Sequence, residues 1–180
     1  LSDKAAGAIV AIDPRTGAIR AIASKPTFDL NFFSQPFTNS QYNNLFLSPN
    51  LPLLSRAFNA YDPGSTWKPV TAIAGMESGK FPASKKLNTV ACITYGSHCF
   101  PEYNKRGFGL IGYEDAFRVS SNTFFYQIGV GVGSKALYDA AIKLGFDNYT
   151  GIETLIDENK GLVGNEEWAN KGRGWGNPGE

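Results

Sequence analysis

The sequence predicts an α+β fold, on three observations. Two apolar runs joined by a turn cluster open the chain, helix-length segments with clear stops follow Gly64, and the apolar content suffices for an interior. The 180 residues are 42% hydrophobic and include 13 phenylalanines, which excludes disorder, while 20 glycines and 10 prolines make the chain loop-rich. Seventeen Lys and Arg against 16 Asp and Glu leave a formal charge of +1, so no strong pull toward nucleic acid or acidic lipid is expected. The longest apolar runs, Ala8 to Ile12 and Phe124 to Val132, are far shorter than a membrane span, and no signal-peptide pattern opens the sequence.

Ala8 to Ile12 and Ala18 to Ala23 flank Asp13-Pro14-Arg15-Thr16-Gly17 and read as a β-hairpin. Ser24 to Gly64 is rich in Pro, Asn, Ser and aromatics without periodicity and reads as a long irregular stretch pinned by its aromatics. Ser65 to Ser78 reads as a helix, with Val70, Ile73, Ala74 and Met76 as its apolar positions, Pro69 in its early turns and Gly79 as its stop. Irregular or hairpin structure is expected over residues 80 to 107. Helices then follow at Tyr113 to Val119, Thr123 to Val130 and Lys135 to Leu144, the first two separated by Ser120-Ser121-Asn122. Beyond Gly151 the chain is turn-rich, and Gly172 to Gly179 carries no convincing element.

Cys92 and Cys99 lie seven apart. A two-residue turn at Tyr95-Gly96 would pair 92 with 99 and bring the sulfurs into disulfide reach, which suits an oxidising compartment. Two separate thiols, or a metal site completed by His98, are the competing readings; three ligands are one short of a closed structural zinc.

Ser65-Thr66-Trp67-Lys68 is the chain's S-x-x-K. Residues three apart on a helix share a face, so hydroxyl and amine stand together. A serine needs a neighbour to take its proton, and a lysine does so at neutral pH once burial or nearby positive charge lowers its pKa. A helix start also offers backbone N–H groups to a developing oxyanion. Alone the motif is weak, since a capping serine followed by a solvated lysine has the same form. Tyr61-Asp62-Pro63-Gly64 ahead of it is a tight turn that would present Ser65, and Ser120-Ser121-Asn122 follows 55 residues after Ser65. There Ser120 offers a hydroxyl for proton relay and Asn122 an amide for positioning, although a helix end with an N-cap has the same composition. A second S-x-N, Ser48-Pro49-Asn50, reads as a turn.

Together, Ser65-x-x-Lys68 and Ser120-x-Asn122 match two of the three signatures of penicillin-binding proteins and serine β-lactamases. The hairpin from Ala8 to Ala21, the segment Arg56 to Pro69 and the run Ser120 to Gln127 resemble class B penicillin-binding proteins. Leu144-Gly145-Phe146 with Thr150-Gly151-Ile152-Glu153 is similar to the elongation-type branch, and the resemblance covers residues 6 to 180. It implies a transpeptidase fold, an antiparallel sheet with helices, and a D,D-transpeptidase that cross-links peptidoglycan. Ser65 would be the nucleophile, Lys68 the proton acceptor, Ser120 a relay and Asn122 a holder of the substrate backbone. It further implies inhibition by β-lactams and no cofactor or metal. A membrane glycosyltransferase would be a partner, and the catalytic domain would lie outside the bacterial cytoplasmic membrane on an anchor ahead of Leu1.

The third signature, K-T-G, does not occur in these residues; Arg15-Thr16-Gly17 and Lys105-Arg106-Gly107 are the nearest sequences, and both precede Ser120. The resemblance therefore implies one partial domain over residues 1 to 180, continuing into K-T-G strands, and predicts that the 180 residues alone are inactive. A β-lactamase and a non-catalytic penicillin-binding sensor or scaffold are the alternatives. For the first, Glu166-Glu167-Trp168-Ala169-Asn170 offers an acidic group, though a solvated surface turn is the expected role.

Overall fold

The computed structural model describes residues 6–152 and 158–167, so the tail from Gly172 to Gly179 and residues 168–170 lie outside the described residues. Two compact units form, one from Leu1–Ala60 with Glu153–Asn159 and one from Tyr61–Ile152 with Lys160–Glu180.

In the first unit, β1 (Gly7–Ile12) pairs antiparallel with β2 (Ile19–Lys25), from Gly7 opposite Lys25 to Ile12 opposite Ile19, with a bulge between Ala11 and Ile12. Asp13 builds the connecting turn. Its carbonyl accepts from Gly17 N at 2.9 Å, and its carboxylate accepts from Arg15 and Arg20. The side-chain bonds from Arg15 and then Arg20 hold that carboxyl below its ordinary pKa. Arg15-Thr16-Gly17 is accordingly a turn and not a K-T-G strand.

The stretch read as irregular contains a helix, α1 (Asn39–Phe46), between 3₁₀ turns at Leu30–Ser34 and Arg56–Phe58. No apolar period specifies α1; a capping box does. Thr38 Oγ1 accepts from Gln41 N while Gln41 Oε1 accepts from Thr38 N. The aromatics do pin the segment: Phe32 stacks on Phe37, and Tyr42 on Phe46 one helical turn later, each at 4.7 Å between centroids. Ser24 Oγ accepts from Arg56 N at 3.0 Å and closes the loop back onto the end of β2.

In the second unit, a 3₁₀ turn (Gly64–Trp67) runs directly into α2 (Lys68–Glu77), so the helix expected from Ser65 begins in a tighter winding. Helix α2 lies between two apolar clusters. Ala72 joins Tyr113, Ala116, Phe124, Phe125 and Ile128, while Val70 and Ala74 join Ala140, Ala141 and Val163. Met76, expected in the core, is exposed; Thr71 and Gly75 are buried instead. Gly75 allows the close packing, because a Cβ there would meet Ile128 Cγ2 at 2.7 Å. Full burial of Phe124 and Ile128 contributes about 1.5–3 kcal/mol each.

Two small sheets follow α2. In one, β3 (Leu87–Thr89) pairs with β6 (Gly109–Ile111); in the other, β4 (Cys92–Tyr95) pairs with β5 (His98–Pro101). The structure joins Cys92 to Cys99, with 5.8 Å between their Cα atoms, so neither sulfur is left as a thiolate for a metal. The register differs from the expected one. The turn falls at Gly96-Ser97, Tyr95 faces His98, and Cys92 lies opposite Pro101 while Thr94 lies opposite Cys99. Gly96, with φ of 58°, takes the first central position, which a primed hairpin turn reserves for positive φ. A shift of two residues keeps side chains on the same face, so the two cysteines still meet, diagonally. Lys105-Arg106-Gly107 forms a turn around Asn104, whose Oδ1 accepts from Arg106 N and Gly107 N, and supplies no K-T-G strand.

Helices α3 (Tyr113–Arg118), α4 (Asn122–Val132) and α5 (Ser134–Lys143) complete the unit close to the expected boundaries.

Candidate active site

Ser65 is exposed on the 3₁₀ turn, reached through Gly64 at φ of 51°. In a 3₁₀ winding residues i and i+3 eclipse, so Ser65 and Lys68 align on one side more strictly than on an α-helix. Ser65 Oγ accepts a hydrogen bond from Ser120 Oγ at 3.1 Å.

Ser120 holds this position through an unusual backbone. Helix α3 ends in a paired motif in which Ser121 N donates to Ala116 O and Ser120 N donates to Phe117 O. The residue at Ser120's place in that motif takes the left-handed conformation and is usually glycine; Ser120 adopts it, with φ of 52°. The strain, of order 1–3 kcal/mol, turns the Ser120 carbonyl toward Lys68 and keeps a hydroxyl where glycine would have none. Ser121 then caps α4, its Oγ accepting from Phe124 N.

Lys68 is buried, with 8% of its surface exposed, and each of its three ammonium protons has an acceptor. Nζ donates to Ser120 O at 2.6 Å, to Ser120 Oγ at 2.9 Å and to Asn122 Oδ1 at 2.9 Å. The Phe125 ring lies 5.8 Å from it. Burial pushes the Lys68 pKa below the ordinary lysine value, and the Glu102 charge opposes that fall. Of the three partners, the Ser120 carbonyl and the Asn122 amide oxygen only accept. When Lys68 is neutral they hold two N–H groups, and its lone pair faces the Ser120 hydroxyl. A proton leaving Ser65 therefore has a path through Ser120 Oγ to Lys68 Nζ.

All four candidate residues, Ser65, Lys68, Ser120 and Asn122, thus come together. Sequence reasoning missed Glu102, which is fully buried and accepts from Ser121 and Thr123 hydroxyls and from the backbone N–H of Asn122 and Thr123. Burial raises its pKa, but the bonds from Ser121, Asn122 and Thr123 outweigh that and hold it below the ordinary glutamate value. No local pattern marks Glu102 in Phe100-Pro101-Glu102-Tyr103. The missed signal in Ser121 was its capping position. Glu166 and Glu167, the alternative acidic residues, are exposed.

The family model for the penicillin binding protein transpeptidase domain matches residues 7–176. The chain belongs to that family. It is 34% identical over 165 residues to the peptidoglycan D,D-transpeptidase MrdA of Acinetobacter baumannii, covering 90% of this chain and 24% of that protein. The chain thus spans about a quarter of that relative's length. Among solved structures, Pseudomonas aeruginosa PBP2 is 31% identical with a TM-score of 0.85, covering 93% of this chain and 39% of that one. Helicobacter pylori PBP2, solved in complex with MreC, is 28% identical with a TM-score of 0.86, covering 92% and 31%. The chain is a penicillin-binding protein sequence of the PBP2 type, with the α+β transpeptidase fold of that family.

Proposed function

We propose that the protein is a peptidoglycan D,D-transpeptidase in which Ser65 forms the acyl-enzyme. The observation that carries this reading is the chain of bonds from Lys68 Nζ through Ser120 Oγ to Ser65 Oγ. Ser65 Oγ attacks the carbonyl between the two terminal D-alanines of a stem peptide, and its proton passes through Ser120 to neutral Lys68. The same path returns that proton to the departing D-alanine amine as the C–N bond breaks. The amine of a second stem peptide then attacks the ester, forms the cross-link and restores the Ser65 hydroxyl. Asn122 fixes Lys68 through Oδ1 and offers an amide N–H to the substrate backbone. A β-lactam presents the same carbonyl and acylates Ser65 without a departing group.

The reading places the catalytic domain on the outer side of the bacterial cytoplasmic membrane, where peptidoglycan is assembled, with a membrane glycosyltransferase of the elongation machinery as partner. A solved peptidoglycan synthase complex that coordinates polymerization and crosslinking, 32% identical and covering 94% of this chain, supports an assembly of that kind. One partial domain over residues 1 to 180, completed by K-T-G strands, remains part of this proposal. Incubation of the full-length protein with a chromogenic cephalosporin tests it. One stoichiometric acylation is expected, whereas sustained hydrolysis would make the protein a β-lactamase and no acylation would make it a sensor or scaffold.

A further inference from the structure

Glu102 is the one group of the site that the acyl-transfer reading leaves without a task. We propose that it is a positioning residue, whose carboxylate sets the Ser120–Asn122 turn and with it the acceptors that hold the Lys68 ammonium. The inference rests on the reading of Ser65 and Lys68 given above.

Five hydrogen bonds converge on the carboxylate. Oε2 accepts from Ser121 Oγ at 2.6 Å, Thr123 Oγ1 at 2.9 Å and Thr123 N at 3.0 Å; Oε1 accepts from Asn122 N at 2.8 Å and Tyr103 N at 3.2 Å. Ser121 Oγ caps only Phe124 N, so Glu102 completes the first turn of α4 by accepting from the Asn122 and Thr123 N–H groups. A fully buried carboxylate is costly unless something repays its desolvation. Three consecutive residues, Ser121, Asn122 and Thr123, converge on it, and two of them follow the strained Ser120 directly. Pulling on Ser121 and Asn122 from both sides holds Ser120 in the left-handed conformation that aims its carbonyl and hydroxyl at Lys68. The β4–β5 hairpin delivers the group from behind: β5 ends at Pro101, and Glu102 N donates to Ala91 O at 2.8 Å.

The carboxylate also acts through its charge. Among the described residues, the Glu102 charge acts on Lys68 and Tyr126; the Lys68 ammonium is favoured by it, against burial. Glu102 therefore opposes the loss of the Lys68 proton that burial favours. Removing the charge should favour neutral Lys68 and move the acid limb of the acylation rate to lower pH. A group that only held the fold together would change the rate and leave the midpoint of that limb alone.

The test is the pH profile of penicillin acylation by the full-length protein, read by intact mass, for wild type, Glu102→Gln and Glu102→Asp. Gln keeps the size, loses the charge and turns a donor toward the Thr123 and Ser121 donors. We expect E102Q to acylate more slowly, on the order of 10²-fold as for a misplaced reacting group, with its midpoint shifted to lower pH. E102D should recover part of the rate and most of the shift. A folded E102Q protein with the wild-type midpoint overturns the proposal, however slow it is. Should E102Q not fold, E102D decides: its shortened carboxylate should slow acylation while its retained charge leaves the midpoint near the wild-type one, and a wild-type rate overturns the proposal. A wild-type protein that never acylates defeats the underlying reading of Ser65 instead, so the two failures are distinguishable.

Discussion

Ser65 sits on an exposed 3₁₀ turn and, among the described residues, takes one side-chain bond, from Ser120, whereas the Ser120–Thr123 segment is strained at its first residue, buried at Ser121 and Thr123, and bonded by both Lys68 and Glu102. The difference separates two demands on a serine acyl-transfer site. A nucleophile has to be reachable, and exposure on a turn provides that. Its proton acceptor has to be in place before substrate arrives, which burial and multiple bonds provide.

The contrast is broken most severely by removing the acceptor. Lys68→Met in the full-length protein should slow penicillin labelling by about 10³–10⁴-fold, at the upper end of what general-base catalysis contributes. The rate of fluorescent penicillin labelling reads this directly. Next comes the support beneath the buried segment. Phe124 is fully buried below Tyr113 and Phe125, so Phe124→Ala should cost about 3–5 kcal/mol in a urea titration. Ser120→Gly separates strain from chemistry: the left-handed backbone becomes free of penalty and stability should rise by up to about 1 kcal/mol, while acylation falls about 10²-fold with the relay hydroxyl gone.

Acid titration sharpens the same comparison. Glu102 has a folded pKa below its ordinary value of about 4.3, so the stability it supplies is complete above that value and is lost as pH falls through the lower folded pKa. Urea titrations across this range should show a flatter acid limb for E102Q than for wild type. Smallest of all is a control in the other unit: Thr38→Ala removes the α1 cap, for a loss of about 1 kcal/mol and no change in labelling rate.

Much of this arrangement was legible in the sequence, and the reasons differ by element. The β1–β2 hairpin announced itself through a Pro- and Gly-bearing turn between apolar runs, and α2 and α5 through breakers at Gly79 and Gly145. Ser65 and Lys68 were linked by helical spacing, whereas Ser120 and Asn122, far along the chain, were joined to them by the resemblance to penicillin-binding proteins. Helix α1 was missed since its stability comes from Thr38, Gln41 and stacked rings, not from an apolar period. The cysteine hairpin was placed in the wrong register because positive φ at Gly96 puts the turn one residue later, so that Cys92 faces Pro101 instead of Cys99. Glu102 was invisible for a different reason. Its partners lie about 20 residues away, and only the folding of β4 and β5 brings it under α4.

The most direct test of the account is intact-mass and peptide analysis of the full-length protein after brief exposure to penicillin. One adduct, on the peptide containing Ser65, that persists after the drug is removed and is absent from Ser65→Ala is the predicted result. No adduct, or an adduct on another residue that survives Ser65→Ala, would contradict it.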